Sequence, residues 1–216
     1  MKGTRIRTPR GETCIEELGI NDLVETVRGE TLPIKWIGRN TYKKSGPVWP
    51  ENSIPIRVSR FAIDENTPNT DLYLSPGHAL FIDGSLIPVK YLANGNSIVP
   101  ALPPGAETIE YFQIVLDTHE VIWAAGVPAE TFVANDKADF EVFANFVEYE
   151  RLYPTDPYAI MPLRAELGTG GRLHLKALLS VGLSDFFDVH NPLGTLDDTY
   201  ERIAGRAVDR ELVTCG

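Results

Sequence analysis

From Gly3 to about Phe132 the apolar residues come in short pieces, several of which alternate with polar neighbours as half-buried strands do. This pattern predicts strands over 4–8, 23–27, 34–37, 54–58, 72–74, 79–82, 98–99, 109–116 and 121–125. Turn residues cut between them at Pro9-Arg10-Gly11, Arg28-Gly29, Asp83-Gly84 and Asn94-Gly95, and the last two dipeptides favour tight turns with positive φ. Leu86-Ile87-Pro88-Val89 and Ile54-Pro55-Ile56 carry proline inside apolar runs, which restricts those stretches to sheet edges or strand starts.

Beyond about Asn135 the rhythm changes. Phe140, Phe143, Phe146 and Val147 recur at three- and four-residue steps, as on one helix face, and so do Leu175, Leu178 and Leu179. A last helix is predicted from Thr195 to Ala207, with Thr195, Asp197 and Asp198 at the end where the helix dipole favours negative charge. The expected organisation is a mainly β domain over residues 1–134 and a helical extension over 135–216. Each helix has too few apolar residues to form a core alone, so the extension is expected to pack on the β part.

Composition narrows the function classes. Hydrophobic residues make up 43% and charged residues 23%, as in globular proteins. A formal net charge of −10 offers no broad positive field, so nucleic acid is a poor partner. Lys2, Arg5, Arg7 and Arg10 are interrupted by Glu12, Glu16 and Glu17 and do not change this. No apolar run reaches the roughly 20 residues of a membrane span. The two cysteines, Cys14 and Cys215, lie at opposite ends of the chain, and no set of His, Cys, Asp and Glu has metal-ligand spacing. No metal or other cofactor is implied.

Ser75-Pro76-Gly77-His78 follows a predicted strand and places a hydroxyl and an imidazole three residues apart. After a tight turn both side chains can reach one sheet edge, where an imidazole serves as acid or base near neutral pH. A turn serine beside a surface histidine would read the same way.

The wider set of segments resembles the bacterial Hedgehog/intein (Hint) domains. The opening block of that family is matched by Gly3 to Glu12, Ile15 to Leu18, Asp22 to Val24 and Lys35 to Arg39. Ser75-Pro76-Gly77-His78 is similar to its second block, and Glu110 to His119 with Gly126 to Thr131 is similar to its closing block. These matches occur in family order and nearly span residues 3–132. Phe143-Ala144-Asn145-Phe146, Met161-Pro162-Leu163 and Gly170-Gly171-Arg172 resemble an extension found in one bacterial branch.

The resemblance implies a Hint-type β fold and an autoprocessing reaction. Its nucleophile is a cysteine or serine at the head of the domain, which attacks the carbonyl before it and turns a peptide bond into a thioester or ester. In this branch a cysteine stands four residues before the glycine that matches Gly3, a position upstream of Met1, so the chain as it stands is expected to leave its own backbone intact. The implied partner is an upstream segment of the same polypeptide. His78 is implied to protonate the leaving amide nitrogen, with Ser75 orienting the scissile peptide. His119 and Asp117 could supply a second acid or base. The N-terminus is therefore expected to point into a cleft edged by His78 and His119. Gln113 falls near a position where relatives carry a histidine or carboxylate, which argues against strong second-step chemistry.

Cys14 follows the first strand and turn, so it reads as a packing residue and not a substitute nucleophile. Val189-His190-Asn191 is followed by Pro192 and not by Ser, Thr or Cys, so full splicing is not expected. His174 reads as a helix-surface or packing residue, and Gly168-Thr169-Gly170-Gly171, lacking a lysine, reads as a loop. Two other functions remain open at this point: a non-catalytic binding or structural module keeping the fold, and a hydrolase using Ser75 and His78 without a nucleophile elbow.

Overall fold

The computed structural model describes residues 1–44, 48–50, 53–160 and 192–214. The strands are β1 (Arg5–Thr8), β2 (Gly11–Cys14), β3 (Leu23–Glu25), β4 (Thr31–Pro33), β5 (Trp36–Lys43), β6 (Ile56–Val58), β7 (Leu72–Leu74), β8 (Ala79–Ile82), β9 (Ser85–Pro88), β10 (Ile98–Pro100), β11 (Thr108–Val115), β12 (Val121–Ala124) and β13 (Val127–Glu130). The helices are α1 (Lys137–Glu141), α2 (Phe146–Leu152) and α3 (Pro192–Thr214). The fold is mainly β with a C-terminal helix. The largest sheet runs β2-β1-β12-β13-β8-β9, and smaller ones run β10-β6-β7, β11-β5 and β3-β4. β1 is an interior strand, pairing with β2 on one side and with the closing strand β12 on the other through Ile6 and Ala124.

Local chemistry explains the joints that shape the site. Asp83 and Gly84 link β8 to β9 with φ of 50° and 81°, the paired positive values that match the twist of a two-residue hairpin. β9 ends at Pro88 on the outer edge of the sheet, and Pro55 stands just before β6, so both prolines avoid interior ladder positions. The β12–β13 hairpin turns through Ala125 and Gly126 with φ of 52° and 80°, although alanine gives no turn signal. Ala125 is buried in the main core, which offsets the cost of its left-handed backbone.

Strand pleating divides β5 and β11 between two cores, because successive side chains face opposite ways. Ile37 and Ile114 enter the main core with Ile6, Val24, Leu80 and Ile122. Trp36 and Val115 enter a second, aromatic core with Phe140, Tyr149 and Ile160 of the extension. Phe140 is fully buried there, its ring centroid 4.4 Å from Tyr149, 5.1 Å from Phe132 and 6.3 Å from Trp36. Polar contacts fasten the same joint. Lys35 donates to Asp156 at 2.5 Å, and the Asn145 side-chain amide donates to the Ile37 carbonyl at 3.0 Å. α3 packs through Ile203 and Leu196 on the main core, with Arg202 donating to Asp83 at 2.7 Å.

Two helical expectations change. Phe140, Phe143 and Phe146 do not share one helix, because the chain breaks between α1 and α2, yet all three reach the aromatic core. Val147 is exposed and takes no part in it. The last helix begins at Pro192, before the acidic residues expected to cap it. Leu175, Leu178, Leu179, His174, the Gly168–Gly171 loop, the His190-Asn191 pair and Cys215 lie outside the described residues.

Candidate functional site

Ser75-Pro76-Gly77-His78 is the crossing between two sheets, leaving β7 of the three-stranded sheet and entering β8 of the six-stranded one. The turn closes with the His78 N–H donating to the Ser75 carbonyl at 3.0 Å. β9 and the turn after it brace it, with Val89 N–H donating to the His78 carbonyl at 2.9 Å and Lys90 N–H to that of Pro76 at 3.2 Å. His78 is thus held at the head of a paired strand, with little freedom in its backbone.

Its ring meets β11. The Gln113 amide oxygen lies 3.2 Å from His78 Nδ1, and with that oxygen accepting, Nδ1 carries the proton and Nε2 keeps the lone pair. A cavity of about 310 Å³ opens here, and its lining includes Met1, Ser75, His78, Gln113, Glu130 and Phe143. Glu130 enters from the end of β13, one residue past the pairing of Ala129 with Leu80. One of its oxygens accepts the Ala79 N–H at 2.7 Å, so the carboxylate is anchored on the residue next to His78. Phe143 comes from the extension, so the segment after β13 contributes a wall of the cavity.

The head of the chain reaches the same cavity although β12 and β13 lie between β1 and β8 in the sheet. Lys2 N–H donates to the Glu110 carbonyl at 2.9 Å and its ammonium pairs with that carboxylate at 3.3 Å, which lays the first residues along β11. Gly3 N–H donates to Glu16 at 2.8 Å, and the Met1 amine donates to Thr4 Oγ1 at 3.3 Å. Burial pushes the Met1 amine down to about 5, against an opposing pull from Glu16.

Burial also dominates His78 and pushes its imidazole below the usual histidine range. Glu130 and the Gln113 contact oppose that shift, while the Met1 amine and His119 reinforce it. At neutral pH the ring is uncharged and able to accept a proton. For Glu130, burial works to raise the carboxyl. His119, the charge of His78 and the Ala79 N–H outweigh it and hold the group below the usual carboxylate range.

Ser75 and His78 line one cavity with the N-terminal residue Met1, and the other two candidates do not line it. Asp117 follows the end of β11 with its side chain 81% exposed and 3.6 Å from Lys35, outside the cavity. The strand has ended at Val115, and the link toward β12 carries Asp117 outward. His119 is buried and does not edge the cleft; it stands behind Glu130, its Nε2 3.6 Å from the carboxylate. Cys14 is a free, partly buried thiol at the end of β2. Glu130 and Phe143 were not identified as site residues from sequence, and Gln113 was singled out only as standing near a position where relatives carry a histidine or carboxylate. The alternation across β13, which puts Glu130 and Pro128 on one face, is a signal for the first that the strand reading passed over.

Among the described residues no group of three or more His, Cys, Asp or Glu could hold a metal ion, and no helix is long and apolar enough to cross a membrane.

A family profile described as "Hint domain" matches residues 1–136. Among solved structures, the chain is similar to the MchDnaB-1 intein at 15% identity, over 58% of this chain and 95% of that one, with a TM-score of 0.40. Its N145AA form gives 13% identity, 60% and 96% coverage and a TM-score of 0.41. The zinc-bound Msm DnaB1 intein splicing domain gives 14% identity, 58% and 95% coverage and 0.37. No curated protein matches the chain.

Proposed function

Since this chain belongs to the Hint domain family over residues 1–136, we propose that it is an autoprocessing domain that cleaves the peptide bond at its own N-terminal junction by an acyl shift. The observation that carries this reading is the meeting of the chain's first residues with His78 in one cavity. A polypeptide continuing upstream of Met1 would present its peptide bonds beside this imidazole and the Ser75 hydroxyl.

The reaction proceeds on a cysteine four residues before Gly3, where the family resemblance places the nucleophile. Its thiol loses a proton, sulfur bonds to the carbonyl carbon of the preceding residue, and the C–N bond breaks. The departing nitrogen takes up a proton and becomes the cysteine's amine. His78, uncharged at neutral pH with Nε2 as its basic nitrogen, receives a proton and returns one to the leaving nitrogen. Ser75 is placed to hydrogen-bond the scissile peptide. Gln113 fixes the imidazole tautomer, a positioning role in place of the acid or base its location suggested. Transfer to a thiol or to water then releases the upstream segment.

The test is a fusion carrying a reporter, this cysteine, one apolar residue and the chain from Met1 through Gly216. Added thiol should release the reporter, and mass spectrometry should place the break immediately before the cysteine. An intact fusion under those conditions contradicts autoprocessing and leaves the non-catalytic module.

A further inference from the structure

The pair formed by Glu130 and His119 has no part in the reaction as written above. His119 is almost wholly buried, and neither of its ring nitrogens has a hydrogen-bond partner. Such a group is costly inside a protein unless a nearby charge compensates it. The backbone fixes it in place. Glu120 N–H donates to Thr131 Oγ1 at 2.9 Å, and Thr131 N–H donates to the Glu120 carbonyl at 2.8 Å, so the residues flanking His119 and Glu130 are bound to each other. The Glu130 carboxylate thus has one oxygen on the N–H of Ala79, the residue after His78, and the other 3.6 Å from His119 Nε2. On its open side it lines the cavity with His78, whereas His119 does not.

We propose that Glu130 is a positioning residue for His78, its carboxylate stabilising the imidazolium that His78 becomes during proton transfer, with His119 locking that carboxylate from behind. This rests on the autoprocessing reading for its catalytic consequence but not for its electrostatic one. A cation formed on a half-buried imidazole gains from a fixed counter-charge, because protein dipoles that must reorganise stabilise it less. Glu130 meets that need without touching the scissile bond. The other groups facing His78 do not. The Met1 amine and His119 act against the protonated ring. Gln113 is uncharged, and Tyr111, whose hydroxyl burial and Tyr42 hold in the neutral form, carries no charge either.

Glu130→Gln retains an oxygen for the Ala79 N–H and removes the charge. In the chain itself, NMR titration should show the His78 midpoint moving to lower pH than in wild type, and Glu130→Asp should restore part of the difference. Because coupling is reciprocal, His78→Ala should move the Glu130 carboxyl midpoint upward, a measurement that does not depend on how well Glu130→Gln folds. In the reporter fusion, Glu130→Gln should slow thiol-dependent release roughly 10- to 100-fold, the range for losing one interaction with a charged group. An unchanged His78 midpoint in Glu130→Gln, or an unchanged Glu130 midpoint in His78→Ala, would overturn the proposal. So would shifted midpoints with undiminished release. A wild-type fusion that releases nothing would instead remove the autoprocessing reading, while the two titrations still decide whether Glu130 sets the charge on His78.

Discussion

Gly38 lies against Phe143 of the extension, and its replacement by alanine tests how the extension reaches the cavity. A Cβ at this position would stand 2.6 Å from Phe143 Cδ1, 2.7 Å from Cε1 and 2.8 Å from Cγ. Carbon atoms pack at roughly 3.5–4.0 Å, so the ring would have to retreat by about 1 Å. It is enclosed by Trp36 at 5.6 Å and Phe132 at 5.1 Å between ring centroids. Such overpacking costs about 1–3 kcal/mol, and the stiffer alanine backbone in a strand returns about 0.5–1 kcal/mol. Gly38→Ala should therefore destabilise the chain by up to about 2.5 kcal/mol. In a Phe143→Ala background, where the ring is gone, the same change should be neutral or stabilising. Urea denaturation of the four chains of this double-mutant cycle, followed by circular dichroism and tryptophan fluorescence, measures a coupling energy of about 1–3 kcal/mol. An equal cost for Gly38→Ala in both backgrounds would refute the contact. Since Phe143 also lines the cavity, the single variant should slow processing in the fusion as well.

Phe140→Ala should cost about 3–5 kcal/mol in the same denaturation assay, because the ring is fully buried among four aromatic neighbours. Burial works to raise the Asp156 carboxyl, but its bonds to Lys35 and the Tyr158 N–H outweigh that and hold it below its ordinary value of 3.8. A carboxyl lowered in the folded state adds stability above its unfolded pKa and loses it as pH falls through the folded one. Melting temperatures measured against pH should thus show Asp156→Asn less stable than wild type at neutral pH, with the difference shrinking in acid below 3.8. Gly84→Ala forces a Cβ onto a backbone with φ of 81° and should cost about 1 kcal/mol in thermal unfolding, without any steric clash to add to it.

The β domain was legible because its signals are local. Ala79–Ile82 is a strand at the positions its alternation predicts, and Asp83-Gly84 forms the positive-φ turn. The 34–37 segment shows where that approach stops. Only its last two residues, Trp36 and Ile37, enter an eight-residue strand, β5, whose outer half is largely exposed and is held by pairing with β11. β2, β4 and β13 went unseen for a related reason: Gly11–Cys14 and Thr31–Pro33 have little apolar content, and Val127–Glu130 follows a turn built on Ala125. Of the site, Ser75 and His78 were readable as a motif. The contacts of Glu130 and Gln113 with this turn were not, because they depend on strand pairing and packing across 51 residues from Ala79 and 35 from His78. Asp117 and His119 shared the closing segment but not its direction. Two residues past the strand end the Asp117 side chain is in solvent, and four residues past it His119 is buried.

The most direct test of the account is the single-turnover rate of thiol-dependent release in the reporter fusion, wild type against His78→Ala, with Asp117→Ala alongside. Proton transfer by a positioned side chain contributes roughly 10²- to 10⁴-fold. His78→Ala should slow release by an amount in that range, and Asp117→Ala, whose side chain lies outside the cavity, should release at the wild-type rate. Equal rates for wild type and His78→Ala would contradict the account, since the imidazole would then be a turn residue with no hand in the chemistry.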